Sequence, residues 1–148
     1  MAIATDEATI GIRAVSERTG LSLDTLRWYE KEGLLPPVDR SPDGRRAYSA
    51  ASLGFLELIQ ALRRTGMPVA DVRAFVRLLD EGAASHGRRM TLLEQQRAAI
   101  QRQIGQHTAD LATVECKIAH YRELIDRGLD CAGAPVDQAT VAAQRQLS

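Results

Sequence analysis

The stretch LSLDTLRWYEKEGLLPP, residues 21–37, sets Trp28 and Tyr29 side by side behind Arg27. The chain holds one Trp, three Tyr and two Phe, so a neighbouring pair is a concentration. Neighbours on a helix point about 100° apart, so both rings cannot share one core stripe. If Leu23, Leu26 and Tyr29 form the buried face, Trp28 lies about 160° from its centre. Asp24, Thr25 and Lys31 then stand closer to the Trp28 side. An outward Trp on a small domain calls for something to cover it. Tyr29 is therefore expected in the core, and Trp28 on a face offered to a partner.

Working outward, local punctuation frames this helix on both sides. Ser22 stands where an N-cap belongs and Gly33 where a C-terminal stop belongs. Upstream, Ile12 and Val15 give a helix of about two turns that stops at Gly20, and only Leu21 separates Gly20 from Ser22. Two short helices joined by a tight Gly-led turn are the pattern of a helix-turn-helix. Downstream, Pro42-Asp43-Gly44 has turn chemistry, so Val38 and Tyr48 are expected to flank a short hairpin carrying Arg40, Arg45 and Arg46. Alone, such a hairpin is equally a solvated turn. Beside an exposed second helix it suits a phosphate grip, since proteins read DNA with that helix and hold its backbone nearby.

Ser49 can cap a third helix burying Leu53, Leu56, Ile59 and Leu62 and closing at Gly66. A fourth after Pro68 should bury Val72, Val76 and Leu79, with a break from Gly82 to Gly87. The pattern then changes. Ile100, Ile104, His107, Leu111, Val114, Ile118, Tyr121 and Ile125 are spaced 4, 3, 4, 3, 4, 3 and 4. That is a heptad seam, and it predicts a helix over residues 88–127, about 60 Å long. A small domain offers nothing to pack along such a length, so the seam is expected to pair with a second copy. The expected layout is a DNA-binding domain over 9–82, a hinge over 83–89, a dimerisation helix over 90–127 and a tail over 128–148, partly mobile or an effector loop.

Composition narrows the function classes. Net charge is zero over the chain, and residues 1–80 balance 11 basic against 11 acidic residues. Any nucleic-acid binding must come from local placement of charge. No run approaches the roughly 18 apolar residues of a membrane span, and MAIATDEATIG is too short and acidic for a signal peptide. A cytoplasmic protein is expected. No nucleophile–base pair, carboxylate dyad or phosphate loop is visible, so no enzyme is expected. Cys116 and Cys131 form neither a CxxC pair nor a metal-ribbon array, so no metal site is expected.

The segment IGIRAVSERTGLSLDTLRWYEKEGLLPP, followed by GRRAY, LELIQALRRTGMPVADVRAFVRLL and a long helix ending in KIAHYREL, resembles the mercury-resistance-regulator (MerR) family over about residues 10–127. The resemblance implies a mostly α fold: a winged helix-turn-helix DNA-binding domain followed by a long dimerisation helix in an antiparallel coiled coil. It implies a homodimer on a pseudo-palindromic promoter spacer, distorting that DNA in response to a signal so that RNA polymerase engages both promoter elements. By motif, Arg18, Arg27, Trp28, Arg46 and Tyr48 would contact phosphate or backbone, with Lys31 and Arg45 beside them. Asp24 and Thr25 would read base edges, and Arg63 and Arg64 would form a second wing's phosphate grip.

Three departures stand out. Trp28 replaces a common tyrosine, so an N–H would substitute for a hydroxyl contact. Pro68 replaces a usual Ser or Thr cap, which suits a first helical turn. The metal-sensor cysteine set is absent, since the region before the long helix reads EGAASHGRRM.

The signal therefore stays open between a small molecule, a thiol-reactive electrophile and none. Cys116 is a plain helix residue near the seam or a thiol sensor helped by Lys117 and His120, alone or paired with Cys131. Around Tyr121 and Leu124 the resemblance implies an effector pocket. His107 in the seam sets register or, in a sharper reading, switches with pH or metal. His86, Arg88 and Arg89 are expected to be solvated. The chain ends soon after the coil, so no large ligand-binding domain is expected. Two rival functions remain: a constitutive repressor or DNA-architectural protein, and a coiled-coil adaptor whose helical head binds protein.

Overall fold

The computed structural model describes residues 8–146. The opening residues behind the signal-peptide expectation lie largely outside this range. The chain divides into two compact units, Met1–Ala99 and Ile100–Ser148.

In the first unit, α1 (Ile12–Thr19) and α2 (Leu23–Lys31) form the helix-turn-helix. Gly20 ends α1 at φ 73°, a conformation that favours glycine, and its N–H donates to the Ser16 carbonyl. Ser22 caps α2 by accepting from the Thr25 N–H at 3.0 Å. Past α2, the Leu34 N–H reaches back to the Tyr29 carbonyl at 2.8 Å, and Gly33 takes φ 69°. The turn is also held from outside: the Gln60 amide donates to the Thr19 carbonyl at 3.1 Å.

The expected hairpin is a three-stranded sheet. Strands β2 (Asp39–Arg40) and β3 (Arg46–Tyr48) pair antiparallel, and β1 (Ile10–Gly11) adds to the other side of β3. Ile10 faces Tyr48 and Gly11 faces Ala47 in the register. Between β2 and β3 the Gly44 N–H donates to the Ser41 carbonyl at 2.8 Å, and Gly44 takes φ 79°.

Helix α3 (Ala50–Arg64) is capped by the Ser49 hydroxyl, and α4 (Val69–Leu78) starts behind Pro68. Pro68 stands at the cap position, as expected, with extended ψ and no side-chain cap hydrogen bond. Val15, Leu26, Leu34, Tyr48, Leu56, Ile59, Met67 and Val72 are fully buried together. Helix α4 buries Phe75 beside Val72 and Val76, whereas Leu79 falls beyond the helix and is half-buried. Phe75 stacks on Phe55 with centroids 6.0 Å apart.

The expected break is narrower than Gly82 to Gly87. A 3₁₀ turn over Leu79–Ser85 kinks at Gly82, and α5 (His86–Arg127) then runs for 42 residues. Buried Ser85 donates to the Leu78 and Gly82 carbonyls at 2.6 and 2.8 Å. Arg88 pairs with Glu81, and half-buried Arg89 donates to the Gly82 carbonyl at 3.1 Å. His86 and Arg88 are exposed as expected, and Arg89 alone is drawn half-buried against the corner. Leu92 and Leu93 of α5 pack on the core, and the Gln96 amide donates to the Thr65 carbonyl and hydroxyl. The start of α5 is thus part of the first unit, and 83–89 is a bonded corner.

In the second unit the tail is folded. Gly128–Val136 closes on itself, with the Asp130 N–H donating to the Ala134 carbonyl and the Val136 N–H to the Gly128 carbonyl. Helix α6 (Gln138–Gln144) follows, capped by the Asp137 carboxylate on the Thr140 N–H. Within 128–146 these bonds give the tail local structure that its lack of large apolar residues does not announce.

Candidate nucleic-acid interface

Helix α2 divides its two aromatics as its phase requires. Tyr29 is 8% exposed and Trp28 43% exposed, with rings 5.7 Å apart and tilted by 54°. Around Trp28, Asp24 stands in solvent and holds Arg27 at 3.1 Å. Half-buried Thr25 shares its hydroxyl with Ser22 at 2.8 Å, and Lys31 is exposed. Arg18 is exposed at the end of α1.

Beside this face lies a cleft of about 650 Å³ between α1, α2 and the sheet. Arg13, Arg27, Arg40, Arg45 and Arg46 line it, together with Gly11 and Ile12 at the start of α1. No side chain caps that helix start, so its first N–H groups and the positive end of its dipole add to the field. A neutral chain has gathered five guanidinium groups in one place, a setting for phosphate. Arg13 escaped the sequence reading. Its only sign was a basic residue in the first turn of a helix, where the dipole disfavours one.

The arginines are held to different degrees. Arg45 is exposed and pairs with Asp43 at 3.3 Å. The Ser41 hydroxyl, then the Arg45 backbone N–H, hold the Asp43 carboxyl below the usual carboxylate range. Arg46 is half-buried, its Nε 2.5 Å from the Glu30 carboxylate, which also meets Arg40 at 3.5 Å. Of the expected second grip, exposed Arg64 remains available. Arg63 instead donates to the Met67 carbonyl at 2.7 Å and closes the α3–α4 turn.

Tyr48 corrects a second expectation. It is 1% exposed, a core residue and no backbone contact. Its hydroxyl is buried without a hydrogen-bond partner among the described residues. Burial, then the nearby Glu30 carboxylate, push its phenol above the usual tyrosine range. Removing an unsatisfied buried hydroxyl is neutral or stabilising. Tyr48→Phe should therefore keep DNA affinity within about twofold and leave the melting temperature unchanged or raised. A tenfold loss of affinity in a binding titration would restore the hydroxyl as a contact.

In the second unit, Ile104, Leu111, Val114, Ile118 and Tyr121 are exposed in a row on α5, with His107 among them and Ile100 and Ile125 half-buried. Near the end of α5, Tyr121, Leu124, Ile125, Leu129, Cys131 and Val136 border a recess of about 370 Å³. The Gln144 side chain also lines it, and its carbonyl oxygen is buried with no partner among the described residues. Cys116 and Cys131 are both free, exposed thiols. They line different surfaces, Cys116 lying beside Lys117 and His120. The Lys117 ammonium stands 4.8 Å over the Tyr121 ring. No helix among the described residues is long and apolar enough to cross a membrane.

A helix-turn-helix with an exposed second helix, an arginine-bearing wing and a long heptad helix defines a regulator-type DNA-binding fold. Comparison with known proteins places it further. Residues 11–79 match the family described as MerR HTH family regulatory protein, and residues 54–115 the one described as MerR, DNA binding. An HTH-type transcriptional regulator of Haemophilus influenzae is 36% identical over 108 residues, covering 73% of this chain and 80% of the relative. The crystal structure of HiNmlR, a MerR family regulator lacking the sensor domain and bound to promoter DNA, is 34% identical with a TM-score of 0.74. That match covers 81% of this chain and 95% of the other. A MerR family transcriptional regulator from Bacillus thuringiensis is 30% identical with a TM-score of 0.70, covering 76% and 98%. The chain belongs to the MerR family of DNA-binding transcriptional regulators.

Proposed function

We propose that this protein binds promoter DNA as a homodimer and regulates transcription by distorting the spacer of a pseudo-palindromic site. The observation that carries this reading is the meeting of the Trp28 face of α2 with the arginine cleft. Trp28, Asp24, Thr25 and Lys31 would lie toward the groove, and Arg13, Arg27, Arg40, Arg45 and Arg46 would hold phosphates on either side. Arg18 and Arg64 would extend that grip. The exposed apolar row of α5 would close against a second copy in an antiparallel coiled coil, spacing two reading heads over two half-sites. Action would be cytoplasmic, alongside RNA polymerase on the same promoter and without catalysis by this chain.

The recess at Cys131 supports a thiol-reactive small molecule as the signal. Cys131 supplies an accessible sulfur, Tyr121 and Leu124 an apolar wall, and Gln144 an acceptor for a polar group. No cofactor is needed for this.

Titrating DNA binding against salt tests the reading. A dimer neutralising about six to ten phosphates should lose about 10³–10⁵-fold in affinity between about 50 and 200 mM salt. A slope near zero would favour a protein-binding adaptor. The same titration after alkylating the thiols reads the signal, and any change should vanish in Cys131→Ser. A DNA response indifferent to alkylation would leave the constitutive repressor.

A further inference from the structure

Arg40 and Arg46 stand directly opposite each other on β2 and β3. Two like charges so paired repel and weaken a short sheet. Glu30, in the last turn of α2, meets both: one carboxylate oxygen lies 2.5 Å from the Arg46 Nε, the other 3.5 Å from the Arg40 Nη2. The Glu30 side chain is largely buried, at 18% exposure. All three residues thus join the recognition helix to both strands of the wing.

A carboxylate beside a phosphate site is electrostatically adverse to DNA, so its presence needs a reason. Glu30 takes the Nε–H edge of Arg46. The two terminal amino groups of that guanidinium have no partner among the described residues, and they belong to a side chain that lines the cleft. A guanidinium gripped at one edge offers a fixed two-donor fork at the other, the geometry that suits phosphate.

We propose that Glu30 is a positioning residue for DNA binding, a latch that sets the Arg40 and Arg46 guanidinium groups toward the phosphate backbone and locks the wing to the recognition helix. The proposal rests on the DNA-binding reading above. It makes a prediction opposite in sign to simple Coulomb attraction. Removing a negative charge beside phosphate should tighten binding if charge alone mattered. Removing the latch should weaken it.

The test is Glu30→Gln in the full-length chain, titrated with duplex DNA over a range of salt, well below the melting temperature of each protein. Affinity should fall about tenfold, and the salt slope should shrink by about one to two as Arg46 and Arg40 lose their phosphates. A loss of folded protein alone would scale the active fraction and leave the slope unchanged. In an Arg46→Gln background, Glu30→Gln should weaken binding less than it does in the wild type, and with Arg40→Gln added as well it should weaken binding no further. If Glu30→Gln does not fold, Glu30→Asp, one methylene short of the bridge, should show the same loss. Binding as tight as wild type or tighter, with an undiminished slope, overturns the latch while the DNA-binding reading stands. A wild-type protein that binds no duplex overturns both.

Discussion

Ile118→Asp should turn the protein into monomers and lower its affinity for a two-half-site operator by about 10²–10⁴-fold, the gain that linking two binding heads provides. Ile118 stands in the heptad row of α5 and is exposed in the single chain. A surface substitution away from packed features changes protomer stability by only about 0.5 kcal/mol. In the proposed dimer the same position would be buried against its partner, where an unpaired carboxylate is strongly unfavourable. The effect therefore concentrates on association. Sedimentation velocity should show the mass halving while the far-ultraviolet circular dichroism of the first unit persists. A dimer that survives Ile118→Asp would show that the seam is not the interface.

Trp28→Ala should cost at least about tenfold in DNA affinity, or about 1.4 kcal/mol, with little loss of stability. The ring is 43% exposed and its main described neighbour is Tyr29. Losing that tilted contact removes about 0.5–1.5 kcal/mol at most. The adjacent residue supplies the control. Tyr29 is 8% exposed, and truncating a buried aromatic costs about 3–5 kcal/mol, so Tyr29→Ala should unfold the domain at a much lower temperature. Thermal melts and DNA titrations of both variants separate the two roles. Equal destabilisation by the two substitutions would make Trp28 a core residue.

That division between neighbours was legible from the chain because it depends only on helical phase. So were Gly20, Ser22, Gly33 and Ser49, because caps and stops act within four or five residues. The heptad row was legible for the same reason, a local period. What escaped depends on contacts distant in sequence or on segments too short to carry a period. Strand β1 is two residues long, and only its pairing with β3 defines it. Arg13 joins the cleft because β1 and the wing bring the start of α1 beside Arg40 and Arg45. Tyr48 shares a motif with Arg46 and, two positions on, the same side of β3, so its burial is set by the core residues packed around it and not by strand phase. The helix in the tail was not legible because its order comes from backbone hydrogen bonds and a short capped turn, with few large apolar side chains to announce it.

The site itself was half legible. Sequence named most of the charges and could not say which were engaged. Glu30, Met67 and Asp43 occupy Arg46, Arg63 and Arg45, and those pairings decide what each arginine has left for DNA.

The measurement closest to the central claim is a footprint. Purified protein would be mixed with fragments of its own genome, the retained fragments sequenced, and the enriched site probed by nuclease protection. The account predicts an inverted repeat within a promoter spacer, protected over both half-sites, with enhanced cutting between them where the DNA is distorted. It also predicts that Trp28→Ala and Ile118→Asp lose this protection. Retention without sequence preference, or with no loss in those variants, would contradict it.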